Sequence, residues 1–234
     1  VASLAIDGSS STSCSLNAFQ RCTAGVGFVP IYTGRKHRYT EKFPALSTRP
    51  FCISPRMVLS EFTLFGIGGK ELAEENAVET AKVLNVIKPD FVRVHATGIK
   101  LSSEMWNYVK NKELTLQSEE EIVSEQKIML ELLADDMDCI YMNEHIVNLL
   151  LEVRGNIRTD KQNMLETINT YLQLPKQEQE LFNLGRRLNI MFFLADLNNR
   201  AKRKQTEEGL RKIKTQNPDL DLAFVCNYVR QTQI

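Results

Sequence analysis

The stretch Gly66-Ile-Gly-Gly-Lys-Glu71 combines residue types and spacing that point most directly to chemistry. Glycines let a backbone approach a ligand closely, and a helix starting just beyond them presents unpaired amides to an anion. The spacing excludes two phosphate cradles: a P-loop needs G-x-x-x-x-G-K-[ST], and a dinucleotide fingerprint needs a third glycine that is missing here. A tight strand-to-helix turn accounts for the glycines as well as a ligand does. Arg93 and His95 come next, because alternate residues of a strand project from one face. Of the three histidines (His37, His95 and His145), His95 is the one set beside a cation on a shared polar face. A hydrogen-bonded or surface role is nevertheless the commoner one for a lone histidine. Cys139 and His145, with Glu144 between them, match no metal-site spacing, so no metal ligand is assigned. Glu119, Glu120 and Glu121 read as negative charge at a helix N-terminus rather than as catalytic carboxylates.

The five cysteines (Cys14, Cys22, Cys52, Cys139 and Cys226) form no C-x-x-C pair, which excludes a zinc ribbon or a thioredoxin-type dithiol. An odd number in a chain too long to need disulfide staples points to a reducing, cytoplasmic compartment. Charge excludes another class. Twenty-nine Lys+Arg against 29 Asp+Glu leave no net charge, so bulk attraction to nucleic acid or acidic lipid is not expected. The longest apolar run, Ile190-Met-Phe-Phe-Leu-Ala195, is far short of the ~18 residues of a membrane helix. No secretory signal is readable near Val1, and a start at Val rather than Met reads as a trimmed product or a fragment.

The elements that must position these residues fall into three stretches. Residues 1–56 carry seven basic residues against Asp7 and Glu41, four of the seven prolines and three of the five cysteines. With a serine run and no helical apolar period, they read as an irregular or poorly ordered lead segment. From residue 57 the pattern sharpens. Residues 57–65 read as a strand running into the glycines; Ala73, Ala77, Ala81, Leu84 and Ile87 then fall at helical spacing, and Pro89 stops the helix. Residues 91–96 form a second strand, parallel to the first, with Val92 and Val94 on the greasy face and Arg93 and His95 on the polar one. A short helix over 105–110 follows, then a longer one opened by the capping box Ser118-Glu-Glu-Glu121, with Ile122, Met129, Leu130 and Leu133 on one side. Residues 138–142 read as a third strand, with helices over 160–172 and 175–188. The tail over 200–234 is basic and helical. With only Phe224 and Tyr228 as aromatics, it reads as a solvated face rather than an RNA-binding one.

Taken in order, several pieces resemble the radical SAM superfamily, and more narrowly small members related to oxygen-independent coproporphyrinogen oxidases and elongator-type catalytic subunits. These are Leu59-Ser-Glu-Phe-Thr-Leu-Phe-Gly-Ile-Gly-Gly69, Glu74-Glu-Asn-Ala77, Lys88-Pro-Asp-Phe-Val-Arg-Val94, Ser118-Glu-Glu-Glu-Ile122, Asn143-Glu-His145, Asn148-Leu-Leu150, Leu174-Pro-Lys-Gln-Glu-Gln179 and Leu184-Gly-Arg-Arg187. The resemblance covers the later half of such an enzyme. It implies an α/β fold: the later part of a partial (β/α)6 TIM-like barrel over 57–199, with residues 57–65 and 91–96 as its fifth and sixth strands.

The resemblance also implies cofactors, S-adenosylmethionine and a [4Fe-4S] cluster that together generate a 5′-deoxyadenosyl radical. It assigns Gly66, Ile67, Gly68 and Gly69 to the adenosyl part of S-adenosylmethionine, and Arg93 and His95 to cofactor or substrate. This sequence departs from the family at the cluster motif: C-x3-C-x2-C is absent, so the cluster is not expected to assemble on this chain. The family's Pro-Gly-Thr-Pro turn after its sixth strand is Leu101-Ser-Ser-Glu104 here. The expectation is therefore a truncated or inactive relative acting on a small molecule, with an exposed sheet edge prone to self-association. The rival is a non-catalytic α/β binding module for protein, RNA or a nucleotide-like ligand.

Overall fold

The computed structural model describes residues 58–233, so the expectations for 1–56 lie outside the described residues. The chain is mixed α/β. In order it runs β1 (Ser60–Phe65), α1 (Ala73–Ile87), β2 (Phe91–Ala96), α2 (Met105–Lys110), α3 (Glu119–Leu132), β3 (Ile140–Met142), β4 (Gly155–Asn156), α4 (Ile157–Leu172) and α5 (Lys176–Arg187). A 3-10 turn (Leu194–Asn198), α6 (Arg200–Gln216) and α7 (Leu222–Thr232) complete it. One open sheet has the order β1-β2-β3-β4, with the first three strands parallel and β4 antiparallel. Among the described residues β1 is an outer strand. No described helix is long and apolar enough to cross a membrane.

The β1–α1–β2 unit forms as its pattern predicts. Ala77, Ala81, Leu84 and Ile87 are the buried stripe of α1. The helix ends where Lys88 turns left-handed (φ 43°), its N–H bonding back to Leu84 O, immediately before a proline that cannot continue the ladder. The capping box at α3 is complete: Glu121 N–H donates to Ser118 Oγ (3.3 Å) and Ser118 N–H to the Glu121 carboxylate (2.7 Å).

Alternation then divides the sheet into two unlike faces. Thr63, Phe65, Val92, Val94, Ala96 and Tyr141 are buried in the same core as the apolar sides of α1 and α3. Burial of side chains such as Val92, Val94 and Leu84 contributes roughly 1.5–3 kcal/mol each. The residues between them, Ser60, Phe62, Leu64, Phe91, Arg93, His95, Ile140 and Met142, are exposed or half-buried on the opposite face. In register, Phe62 lies beside Arg93, Leu64 beside His95, and Arg93 beside Met142.

Two boundaries differ from expectation for local reasons. The helix expected from residue 160 begins at Ile157, because Asn156 caps it through Arg158 N–H (2.9 Å) and donates its own N–H to Asp160 (2.8 Å). Pro175 precedes α5 as its cap rather than occupying its first turn. The basic tail is two helices that dock. Lys214 pairs with Glu180, Arg203 with Glu178, and Asn227 exchanges two hydrogen bonds with the backbone of Ile99.

Candidate functional site

A cluster of rings and one cation occupies the face of the sheet that no described helix covers. Arg93 Nε donates to Ser60 Oγ (3.2 Å), and its guanidinium lies 5.8 Å from the centre of the Phe62 ring. Phe62, 54% exposed, meets His95 edge-on at 5.6 Å. His95 in turn stacks on His145 with centroids 4.2 Å apart and planes 24° off parallel. The edge-on contact is favoured by the rings' charge distribution, and the guanidinium is attracted to the Phe62 face. Burial, then His145 and Arg93, hold the His95 imidazole below its ordinary range, and burial alone does the same for His145. Both rings are therefore biased toward the neutral form, in which one ring nitrogen donates and the other accepts.

His145 reaches this cluster because the loop that carries it is clamped from below. The Asn148 side chain behaves as one more rung of the sheet: it accepts from Ala96 N–H (2.8 Å) and donates to Val94 O (2.7 Å). Asn143 donates to Leu150 O (2.6 Å), closing the loop on itself. Arg186, fully buried, donates to the carbonyls of Leu149 (2.9 Å), Asn148 (2.6 Å) and Ile146 (3.1 Å). Arg187 adds Val147 O (2.9 Å) and forms a two-pronged pair with Glu119 (2.8 and 2.7 Å). Arg230 from α7 lies 3.5 Å from the same carboxylate. Burial pushes Glu119 up, but Arg187 and then Arg230 outweigh it and hold the carboxyl at about 2. Glu119 does stand in the first turn of α3, as expected, but it is 2% exposed and is the anionic centre of a buried arginine cluster. Glu120 accepts from Asn183 and Lys176, and Glu121 closes the capping box.

The glycine bend has a packing role of its own. Gly66 and Gly69 adopt φ of +80° and +61°, a region that side chains disfavour. A Cβ on Gly69 would sit 2.7 Å from Glu71 Oε2 and 2.8 Å from Leu114 Cγ and Thr115 O; one on Gly66 would sit 3.2 Å from Ile122 Cδ1. The close approach permitted here is to the chain's own 114–117 segment and to α3. Glu125, buried, accepts from Gly66 N–H (2.9 Å), Gln117 (2.9 Å) and Asn76 (2.6 Å), and Asn76 also donates to Leu64 O (3.0 Å). Burial raises the Glu125 carboxyl, and those three donors partly offset it. Gly66, Gly68 and Gly69 are buried, whereas Ile67 is half-exposed.

The expected pair Arg93 and His95 therefore sit together on one face, while the expected set Gly66, Ile67, Gly68 and Gly69 forms a bend braced by Glu125. Phe62, His145, Asn148 and Glu125 were not among the candidates. Phe62 was detectable, since it is two residues before Leu64 on the strand face adjoining Arg93 and His95. The contacts of Asn148 and Glu125 bridge 52 and 59 residues of chain, and no local pattern signals them. A cleft of about 340 Å³ opens elsewhere, between α4, α5 and α6, and is lined by Thr170, Leu174, Glu178 and Arg203 among others.

The described thiols do not fit an iron–sulfur cluster. Cys139 and Cys226 are buried; burial pushes Cys139 up to about 11 and raises Cys226 further. Neither is poised as a thiolate ligand, and no group of three metal-binding side chains occurs among the described residues. Cys14, Cys22 and Cys52 lie outside the described residues. No family model, curated protein or solved structure matches the chain.

Proposed function

We propose that this chain is the later half of a radical SAM-type barrel and that it binds its ligands against the uncovered sheet face without cleaving the sulfonium itself. The observation that carries the reading is the cluster of Phe62, Arg93, His95 and His145 on the bare face of two parallel strands. Of its members, His95 lies toward the carboxyl end of β2, the end of a strand near which ligands of α/β sheets bind. Supporting it, the separated pieces that carry the resemblance meet in space. Glu119 of the Ser118 piece pairs with Arg187 of the Leu184 piece, and both arginines of that piece hold the loop containing Asn143, His145 and Asn148. Asn76 of the Glu74 piece joins the Leu59 piece at Leu64.

In this reading Arg93 and His95 contact substrate or cofactor, and Ile67 is the point at which the bend touches the adenosyl group. The described cysteines do not suit a cluster, so no electron-transfer step is assigned to this chain. The test is equilibrium dialysis of S-adenosylmethionine against the full chain, followed by anaerobic reconstitution with iron and sulfide and an assay for 5′-deoxyadenosine. Saturable binding without product is expected; product above the blank, or no binding, would contradict the proposal. The packing of the glycine bend against the chain's own Leu114, Thr115 and Ile122 favours a second reading, a non-catalytic binding module without an adenosyl site. It predicts that a ligand other than S-adenosylmethionine displaces a probe from the same face.

A further inference from the structure

Many cations among the described residues are matched by carboxylates. Arg154 pairs with Glu144, Arg158 with Asp138, Lys161 with Asp135, Lys202 with Asp196 and Arg203 with Glu178. Arg93 is not one of them. Half-buried on the bare face, it has no carboxylate within 4 Å among the described residues, and its one hydrogen bond there goes to a neutral hydroxyl. Glu144, the acid adjacent to His145, is turned to Arg154 at 2.6 Å and does not neutralise the face. The remaining sheet-face neighbours are apolar or are histidines biased toward the neutral form. A guanidinium presents five N–H donors in a fork that matches an oxyanion in a planar, two-pronged geometry. Beside it, Phe62, His95 and His145 offer ring faces and edges suited to a flat group.

We infer that the sheet face takes a small planar ligand bearing a carboxylate or phosphate, with Arg93 on the oxyanion and Phe62, His95 and His145 against the ring. This rests on the reading above only for the location of the ligand. It adds the substrate class, an anionic aromatic or heteroaromatic molecule. The partly exposed ring cluster supplies contact area, and the guanidinium supplies the discrimination against neutral analogues.

The experiment titrates the full chain with benzoate, phenyl phosphate and the neutral benzyl alcohol, following amide and Arg93 side-chain resonances by NMR. At least one anion is expected to shift signals of residues 91–96 saturably and to bind at least tenfold more tightly than benzyl alcohol; the tighter of the two identifies the oxyanion. Arg93→Gln should weaken that anion at least tenfold, with the melting temperature unchanged. Phe62→Leu, which retains the guanidinium, should weaken all aromatic probes alike. Should Arg93→Gln fail to fold, Arg93→Lys keeps the charge without the fork and should bind the anion more weakly than wild type. Equal binding of benzyl alcohol and the anions, or anion binding indifferent to residue 93, would overturn the inference. S-adenosylmethionine measured on the same samples separates the two claims. Arg93-dependent anion binding without it leaves this inference standing and removes the radical SAM reading, whereas the reverse result removes this inference alone.

Discussion

The two faces of one short sheet use polar groups for opposite purposes. On the covered side and around the end of β2, the packed elements bury charge and pair most of it: Glu119 with Arg187, Arg186 with a ring of carbonyls, and Glu125 with three donors, while the buried Arg230 keeps two nitrogens without a hydrogen-bond partner among the described residues. On the bare side Arg93 is left with a single hydroxyl and a ring, and two histidines stack on each other. Buried charge without a partner is costly, so a buried network is tolerated only when most of its charge is matched. A half-solvated cation can wait for its counterion. In the proposed reading the contrast separates residues that hold the fold from residues available to a ligand, and it can be attacked from either side.

The strongest attack is on the buried pair. Arg187→Met leaves the Glu119 carboxylate without its main partner, and a loss of about 3–5 kcal/mol in unfolding free energy by urea titration is expected. Replacing both residues, as Glu119→Gln with Arg187→Met, should cost less than the sum of the single changes. A loss below about 1 kcal/mol for Arg187→Met would show that the covered network is not what holds the loop. The same pair sets an acid limit. Its carboxyl sits at about 2 in the fold against an ordinary 4.5, so its contribution is present above about 4.5 and is lost as pH falls toward 2. The Glu119→Gln variant should lack that part of the acid transition in a pH melt followed by circular dichroism.

Asn148→Ala comes next. It removes one acceptor and one donor from the end of β2 and should cost about 1–3 kcal/mol for each buried group left unmatched. It should also release His145 from His95, which histidine NMR titration reads as a rise of the His95 midpoint toward 6.5. Gly69→Ala tests the bend. Its +61° φ and contacts of 2.7–2.8 Å predict a loss of about 1–3 kcal/mol, whereas a change at solvent-facing Lys70 should stay within about 0.5 kcal/mol. The smallest effect concerns the histidine stack. With both imidazoles held below 6.5, the folded form is favoured above that pH, and the stack should weaken as pH falls through it.

Much of this architecture was legible in the sequence because it is written locally. Alternation in Phe91-Val-Arg-Val-His-Ala96, the alanine stripe of α1, Pro89 and the Ser118 capping box each need only a few adjacent residues. What was not legible depends on chain returning from far away. Arg186 and Arg187 resemble ordinary helix-end cations until the 145–150 loop and Glu119 close around them. Asn148 becomes part of a sheet only because β2 ends beside it. β4 is a two-residue strand, too short to carry a period. The glycines were readable as a special backbone, but what they approach, Leu114 and Thr115, lies more than forty residues on.

The account turns on whether the bare face is a binding surface separable from the fold. Equilibrium dialysis of S-adenosylmethionine against the full chain and its His95→Ala variant, with thermal melts on both, asks this directly. Wild type is expected to bind saturably, and the variant to bind at least tenfold more weakly while melting within a few degrees of it. Identical binding by the two proteins, or a variant that loses its fold along with its ligand, would contradict the claim.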